Sequence, residues 1–319
     1  MISIFEPSGR SLGDEPFLVS QFVRIAFDIW ATSSVERILA QGQASGRALD
    51  GLQRLLSEEE CTPFLVNALR GERARIDAFL RALEDGKVSL PRYAGVSAKP
   101  SSTVTGVWES LTSRAAARRA HPVLLRLLTE SIQTAQLPTE QRADRFEIQE
   151  KRVKETDLPV LVNLLFPAMI TIAKSDIRVR ANLRCAVVAL AAERFRLANG
   201  RWPKDLAELV PAYLKKVPLD PYDGKPIRLR AVPDGLLVYS IGPDRQDNGG
   251  AINRRTPDAP GQDIVFQLWN VDARRKPALN PDVCPPQPTE EELQMMRWQL
   301  LPVQKDVPPE KPGADQPPP

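Results

Sequence analysis

Side chains able to do nucleophilic or metal chemistry are few in this 319-residue chain. The single histidine, His121, argues against His-dependent triads and His-rich metal sites. Set before Pro122, it reads as a helix-end residue, with no Ser or Cys motif beside it. Cys61, Cys185 and Cys284 are far apart and form no CxxC pair, so neither a zinc site nor a disulfide framework is expected. No phosphate-cradling glycine loop, Gly-x-Ser-x-Gly elbow or HExxH occurs, and nothing selects a catalytic pair from the 40 acidic residues. Glu58–Glu60 and Glu290–Glu292 follow Ser57 and Thr289 and read as first-turn helix residues. Arg114, Arg118 and Arg119, near His121 and Trp108, read as a charged helix face. The remaining concentration of oxygen-bearing side chains is the Asp/Asn/Gly-rich stretch from Gly242 to Asp263, whose plain reading is a solvated turn cluster.

The elements that would position these groups are mostly helical. Phe17, Leu18, Phe22, Ile25, Ala26, Ile29 and Trp30 recur at three- and four-residue steps, and Leu49, Leu52, Leu55 and Leu56 repeat the pattern. Thr62-Pro63 opens a third helix, with proline at its first position, that stops at Asp85-Gly86. Gly86 to Thr105 reads as a long loop, followed by helices at Val107–Ala120, Val123–Ile132 and Glu140–Glu155. A long helix is expected from Val160 to Asn199, bent at Pro167 and ended by Gly200, then a short helix over Lys204–Val210. Ile227–Ala231 and Leu236–Ile241 read as strands joined by a type I′ turn at Asp234-Gly235, with Asp263–Trp269 as a third strand. From Val271 onward 12 of 49 residues are proline, which leaves only Thr289–Leu300 as a helix candidate in a largely disordered tail.

Composition limits the function classes. A net charge of +3 and a pI near 8.8 give no footprint for nucleic acid, while 42% hydrophobic residues suffice for a core. Leu158–Ala173 is the longest apolar stretch, but at 16 residues it is shorter than a bilayer needs and reads as a buried helix. The residues from Met1 show no basic region followed by an apolar core, so membrane association is expected only through a partner or an anchor upstream of Met1. With such an anchor the chain would be extracytoplasmic.

Between Lys174 and Asp263 several short pieces stand in a fixed order. They are Asn199-Gly-Arg-Trp-Pro203, Leu206-Ala-Glu-Leu-Val210, Pro218-Leu-Asp-Pro-Tyr222 and Tyr239-Ser-Ile-Gly-Pro-Asp244. This run resembles the C-terminal globular module of the major pseudopilin of type II secretion systems, over about 90 residues. The resemblance implies a long helix packed on a small antiparallel sheet. It also implies calcium in the loop after the Tyr-Ser-x-Gly-x-Asp piece, with Asp244, Asp263 and Ser240 as matching ligands. Asp247 joins them by proximity in sequence, and Arg245 stands where the family usually has glycine.

The expectation is an α+β protein with a helical region over 1–157, a long helix plus pseudopilin-like module over 158–270, and a Pro-rich tail over 271–319. Its expected role is that of a non-enzymatic structural or interaction protein, a helical scaffold whose partners are other proteins and whose cofactor is calcium. The alternative is a hydrolase-like enzyme with its site between helices of the N-terminal half.

Overall fold

Apolar periodicity becomes six helices in the computed structural model, which describes residues 15–88, 103–253 and 261–275, with backbone only at 103–112, 164, 167 and 168. They are α1 (Leu18–Gln41), α2 (Gly46–Cys61), α3 (Phe64–Glu84), α4 (Thr103–Ala135), α5 (Thr139–Glu155) and α6 (Val160–Asn199). Three short strands follow: β1 (Arg228–Val232), β2 (Gly235–Ser240) and β3 (Ile264–Trp269). The class is α+β, mostly helical, with one three-stranded antiparallel sheet in the order β1-β2-β3. No helix among the described residues is long and apolar enough to cross a membrane.

The 40-residue α6 is the spine of the molecule. It ends where glycine permits the left-handed conformation, at Gly200 with φ 70°, whose N–H donates to the Arg196 carbonyl. One apolar cluster joins Leu69, Leu80, Leu124, Leu128 and Phe146 of α3, α4 and α5 to Phe166, Ile172 and Ile177 of α6. A second joins Ile25, Leu39, Leu49 and Leu56 of α1 and α2 to Val188 and Ala192 of α6 and to Leu236, Val238, Phe266 and Leu268 of the sheet. Both clusters therefore draw residues from either side of position 157.

Several local expectations need correction. Val107–Ala120 and Val123–Ile132 belong to one 33-residue helix, α4, with Pro122 inside it, so His121 lies mid-helix and not at an end. Glu58–Glu60 occupy the last turn of α2, where the helix dipole disfavours acids. They are accommodated because arginines from elsewhere reach them: Arg24 contacts Glu59 at 2.7 Å and Arg184 contacts Glu60 at 2.8 Å. Thr62 lies just outside α3 and Pro63 is its N-cap. The Lys204–Val210 helix is a single 3-10 turn over Leu206–Leu209, begun by the Asp205 carboxylate accepting from the Ala207 and Glu208 amides.

The hairpin differs too. Val232 pairs with Gly235, so Pro233 and Asp234 form the two-residue loop, and neither Asp234 nor Gly235 has the positive φ of a type I′ turn. Gly235 is required by the neighbouring strand instead. A Cβ there would lie 1.8 Å from the Leu268 carbonyl oxygen. The expected Gly86–Thr105 loop falls largely outside the described residues, as does all of the tail beyond Arg275, including Thr289–Leu300.

Candidate functional site

The pleat of β2 decides which residues of the acidic loop can meet. Leu236 and Val238 face α6 in the second apolar cluster, whereas Gly250 closes over Leu237 and Tyr239 on the opposite face. The described part of the loop around Gly250 thus lies over the face of the sheet turned away from α6.

Within that loop the aspartates hold backbone. Asp263, almost fully buried, accepts from the Gly250 N–H at 2.6 Å and the Asn248 N–H at 3.4 Å. Asp244 accepts from Gln246 N at 3.1 Å and Gly261 N at 2.7 Å. Asp247 accepts from Gly249 N at 3.0 Å and the Tyr239 hydroxyl at 3.2 Å, and ion-pairs with Arg228 at 3.0 Å. Burial pushes the Asp263 carboxyl above its ordinary range, the Gly250 and Asn248 amides oppose the shift, and the nearby charges of Asp247 and Asp244 add to it. Burial acts the same way on Asp247, but the Gly249 amide, Tyr239 and Arg228 outweigh it and hold that carboxyl low.

Ser240 does not join this group. Its hydroxyl donates to Asp220 Oδ1 at 2.8 Å. Asp220, from the Pro218-Leu-Asp-Pro-Tyr222 piece, has no solvent exposure and accepts four hydrogen bonds. Besides Ser240 the donors are Tyr222 N at 3.0 Å, Ile241 N at 2.9 Å and Arg228 Nη1 at 2.9 Å. Arg228 on β1 spreads its guanidinium over Asp220, Asp223 and Asp247. The aspartate that fixes the connector was legible only as turn chemistry, because three of its four partners are 8 to 21 residues away.

Arg245, the departure from glycine, adopts the left-handed conformation with φ 58°. Its side chain pairs with Asp144 at 2.5 Å and Glu147 at 3.1 Å on α5. Arginine therefore ties the loop to the helical half, which glycine could not do.

The helical half holds its own buried charges. Arg24 and Glu59 pair across α1 and α2, while Asp176 of α6 binds Arg180 at 3.0 Å and Arg142 at 3.3 Å. Asp28 lies among them with its Oδ2 buried and without a hydrogen-bond partner. Burial, with Glu59 and Asp176 adding and Arg24 and Arg180 opposing, pushes its carboxyl up to about 8. A heptad of apolar spacing hides this group, since Arg24 and Asp28 lie on the same face of α1 as Ile25 and Val35.

His121 is held between Asp77 and Glu84, each 2.8 Å from a ring nitrogen. A shallow depression of about 520 Å³ is lined by Arg73, Arg126, Thr129, Glu130 and Gln133 with Leu125, where Arg73 donates to the Thr129 hydroxyl at 3.0 Å. That lining contains no nucleophile–base pair of the kind covalent catalysis needs. Cys61 is exposed and Cys185 buried, both as free thiols. Among the described residues no three His, Cys, Asp or Glu side chains are grouped to hold a metal ion. No protein-family model, curated protein or solved structure matches the chain.

Proposed function

We propose that this chain is a non-enzymatic structural or interaction protein whose 160–269 portion is a pseudopilin-like module built into a helical scaffold, with other proteins as its partners. One observation carries the reading. Two of the four sequence pieces that suggested the family meet in one joint, where Asp220 accepts from Ser240 and Ile241 at the end of β2, and a third holds Gly200, which ends α6 before the chain turns back. Trp202 packs against that helix end, its ring 5.3 Å from the Arg196 guanidinium, and its indole N–H donates to Asn270 Oδ1 at 2.7 Å.

The same reading assigns a calcium ion to the loop. Asp247 and Ser240 are engaged by Arg228 and Asp220, whereas Asp244 and Asp263 accept from loop amides alone, so these two carboxylates are the ones that would hold it. The like charges around Asp263 favour a cation there. Loop carbonyls would have to supply the rest of the six to eight oxygens calcium takes. Thermal unfolding over a calcium titration tests this assignment. A rise in Tm at millimolar calcium, lost in Asp244→Ala, is expected. No shift in the wild-type chain removes the ion and leaves the scaffold reading standing. The scaffold reading is tested separately by pull-down with the isotope-labelled full chain, where recovery of no protein partner from its native source overturns it.

A further inference from the structure

Helix α1 carries an unusual share of polar groups inside and apolar groups outside. Beside Leu18, Ile25, Val35 and Leu39 its inner face buries Gln21, Arg24, Asp28, Thr32 and Glu36, and Gln21 Oε1 and Asp28 Oδ2 have no hydrogen-bond partner there. Its outer face exposes Val19, Val23 and Trp30 at 38%, 38% and 43%. Phe27 lies edge-on to Trp30 with ring centroids 5.8 Å apart. These positions fall at the three- and four-residue steps that place side chains on one stripe, so several large apolar groups face outward together. A contiguous patch of this kind marks a surface that something covers.

The end of the described chain lies at this helix. Arg275 N donates to the Ala40 carbonyl at 3.0 Å, and its Nε donates to Gln41 O at 3.3 Å. Arg274 donates to Gly42 O at 3.0 Å and is anchored by the fully buried Glu193 at 2.9 Å. The tail therefore departs from the C-terminal end of α1. From Ala40 back to Val19 is about 32 Å along a helix rising 1.5 Å per residue. Residues 276–292 can span about 55 Å when extended. The segment they lead to has Leu293, Met296 and Leu300 at helical spacing, followed by Leu301.

We propose that segment 293–301 of this same chain seats on the Val19–Val23–Phe27–Trp30 stripe of α1. A tethered segment meets its seat at an effective concentration no separate partner reaches without a linker, and its apolar residues match an apolar stripe that offers few polar groups. This does not rest on the pseudopilin reading or on calcium.

Photo-cross-linking in the full-length chain tests it. Replacing Trp30 with p-benzoylphenylalanine is expected to give a cross-link within one molecule to residues 289–301, mapped by mass spectrometry. Met296→Asp with Leu300→Asp should lower that yield by about tenfold or more, as loss of buried apolar area implies, while the chain still unfolds cooperatively. Mixing isotope-labelled and unlabelled chains separates the alternatives. A cross-link between two copies, to residues 1–14, to added lipid vesicles or to nothing overturns the proposal, as does an unchanged yield in the double variant. If the Trp30 replacement fails to fold, the same probe at Val23 gives the same readout.

Discussion

Two buried aspartates, one on α1 and one in the sheet module, are treated in opposite ways. Asp220 in the sheet module accepts four hydrogen bonds, one of them from Arg228, and leaves neither oxygen idle. Asp28 on α1 is nearly as buried, yet one of its oxygens has no partner and its carboxyl is pushed up to about 8 by burial and by Glu59. A buried carboxyl retains its proton where donors do not converge on it, as at Asp28. The difference is between a joint that fixes a connector to a strand and a helix interface with its polar groups only partly matched.

The sharpest way to break the comparison is to remove Asp220. Asp220→Ala leaves the Ser240 hydroxyl and the Tyr222 and Ile241 amides without their acceptor and takes one of three carboxylates from Arg228; it should cost about 3–5 kcal/mol, since each buried donor left unsatisfied costs about 1–3 kcal/mol, read from urea unfolding. Asp220→Asn should recover part of this, since the amide oxygen still accepts.

Asp28→Asn should act in the other direction. Because the folded-state carboxyl sits near 8 and the ordinary one at 3.8, Asp28 binds a proton that the unfolded chain has released. Its contribution is therefore most favourable below the unfolded value and is lost progressively as pH rises from about 4 to about 8. Asparagine removes that loss, so the variant should gain up to about 5 kcal/mol at pH 8 and show a flatter stability profile between pH 4 and 8. A stability curve unchanged by the substitution would make the two aspartates equivalent.

Arg245→Gly should have the smallest effect. Glycine relieves a left-handed φ worth about 1 kcal/mol, and the exposed pairs to Asp144 and Glu147 are worth about 0–1 kcal/mol. A net change within about 1 kcal/mol is expected in thermal unfolding, together with faster amide exchange across residues 244–248.

What was legible in the sequence follows from what is local. The bounds of α6 were readable because a proline precedes it and Gly200 follows a long apolar pattern. The three strands were readable from short apolar runs, and the loop between β2 and β3 from its Asp, Asn and Gly content. The type I′ turn was misread because Gly235 answers to Leu268 across the sheet and not to its own turn. His121 was misplaced because α4 continues through Pro122, whose neighbours in the fold support the helix. For the acidic loop the sequence listed the oxygens but not the pleat that turns Ser240 toward Asp220 and Asp247 toward Arg228.

Composition and periodicity alone determined that this chain is mostly helical with a small antiparallel sheet. Only the tertiary structure decided which charges are paired inside, that α1 turns its polar stripe inward, and that Arg245 reaches α5. The physical reason is range. Helix stops, turn residues and apolar spacing act within a few positions, whereas burial and ion pairing depend on groups the chain brings together from 35 to more than 100 residues apart, as Arg24 with Glu59 and Arg184 with Glu60 do.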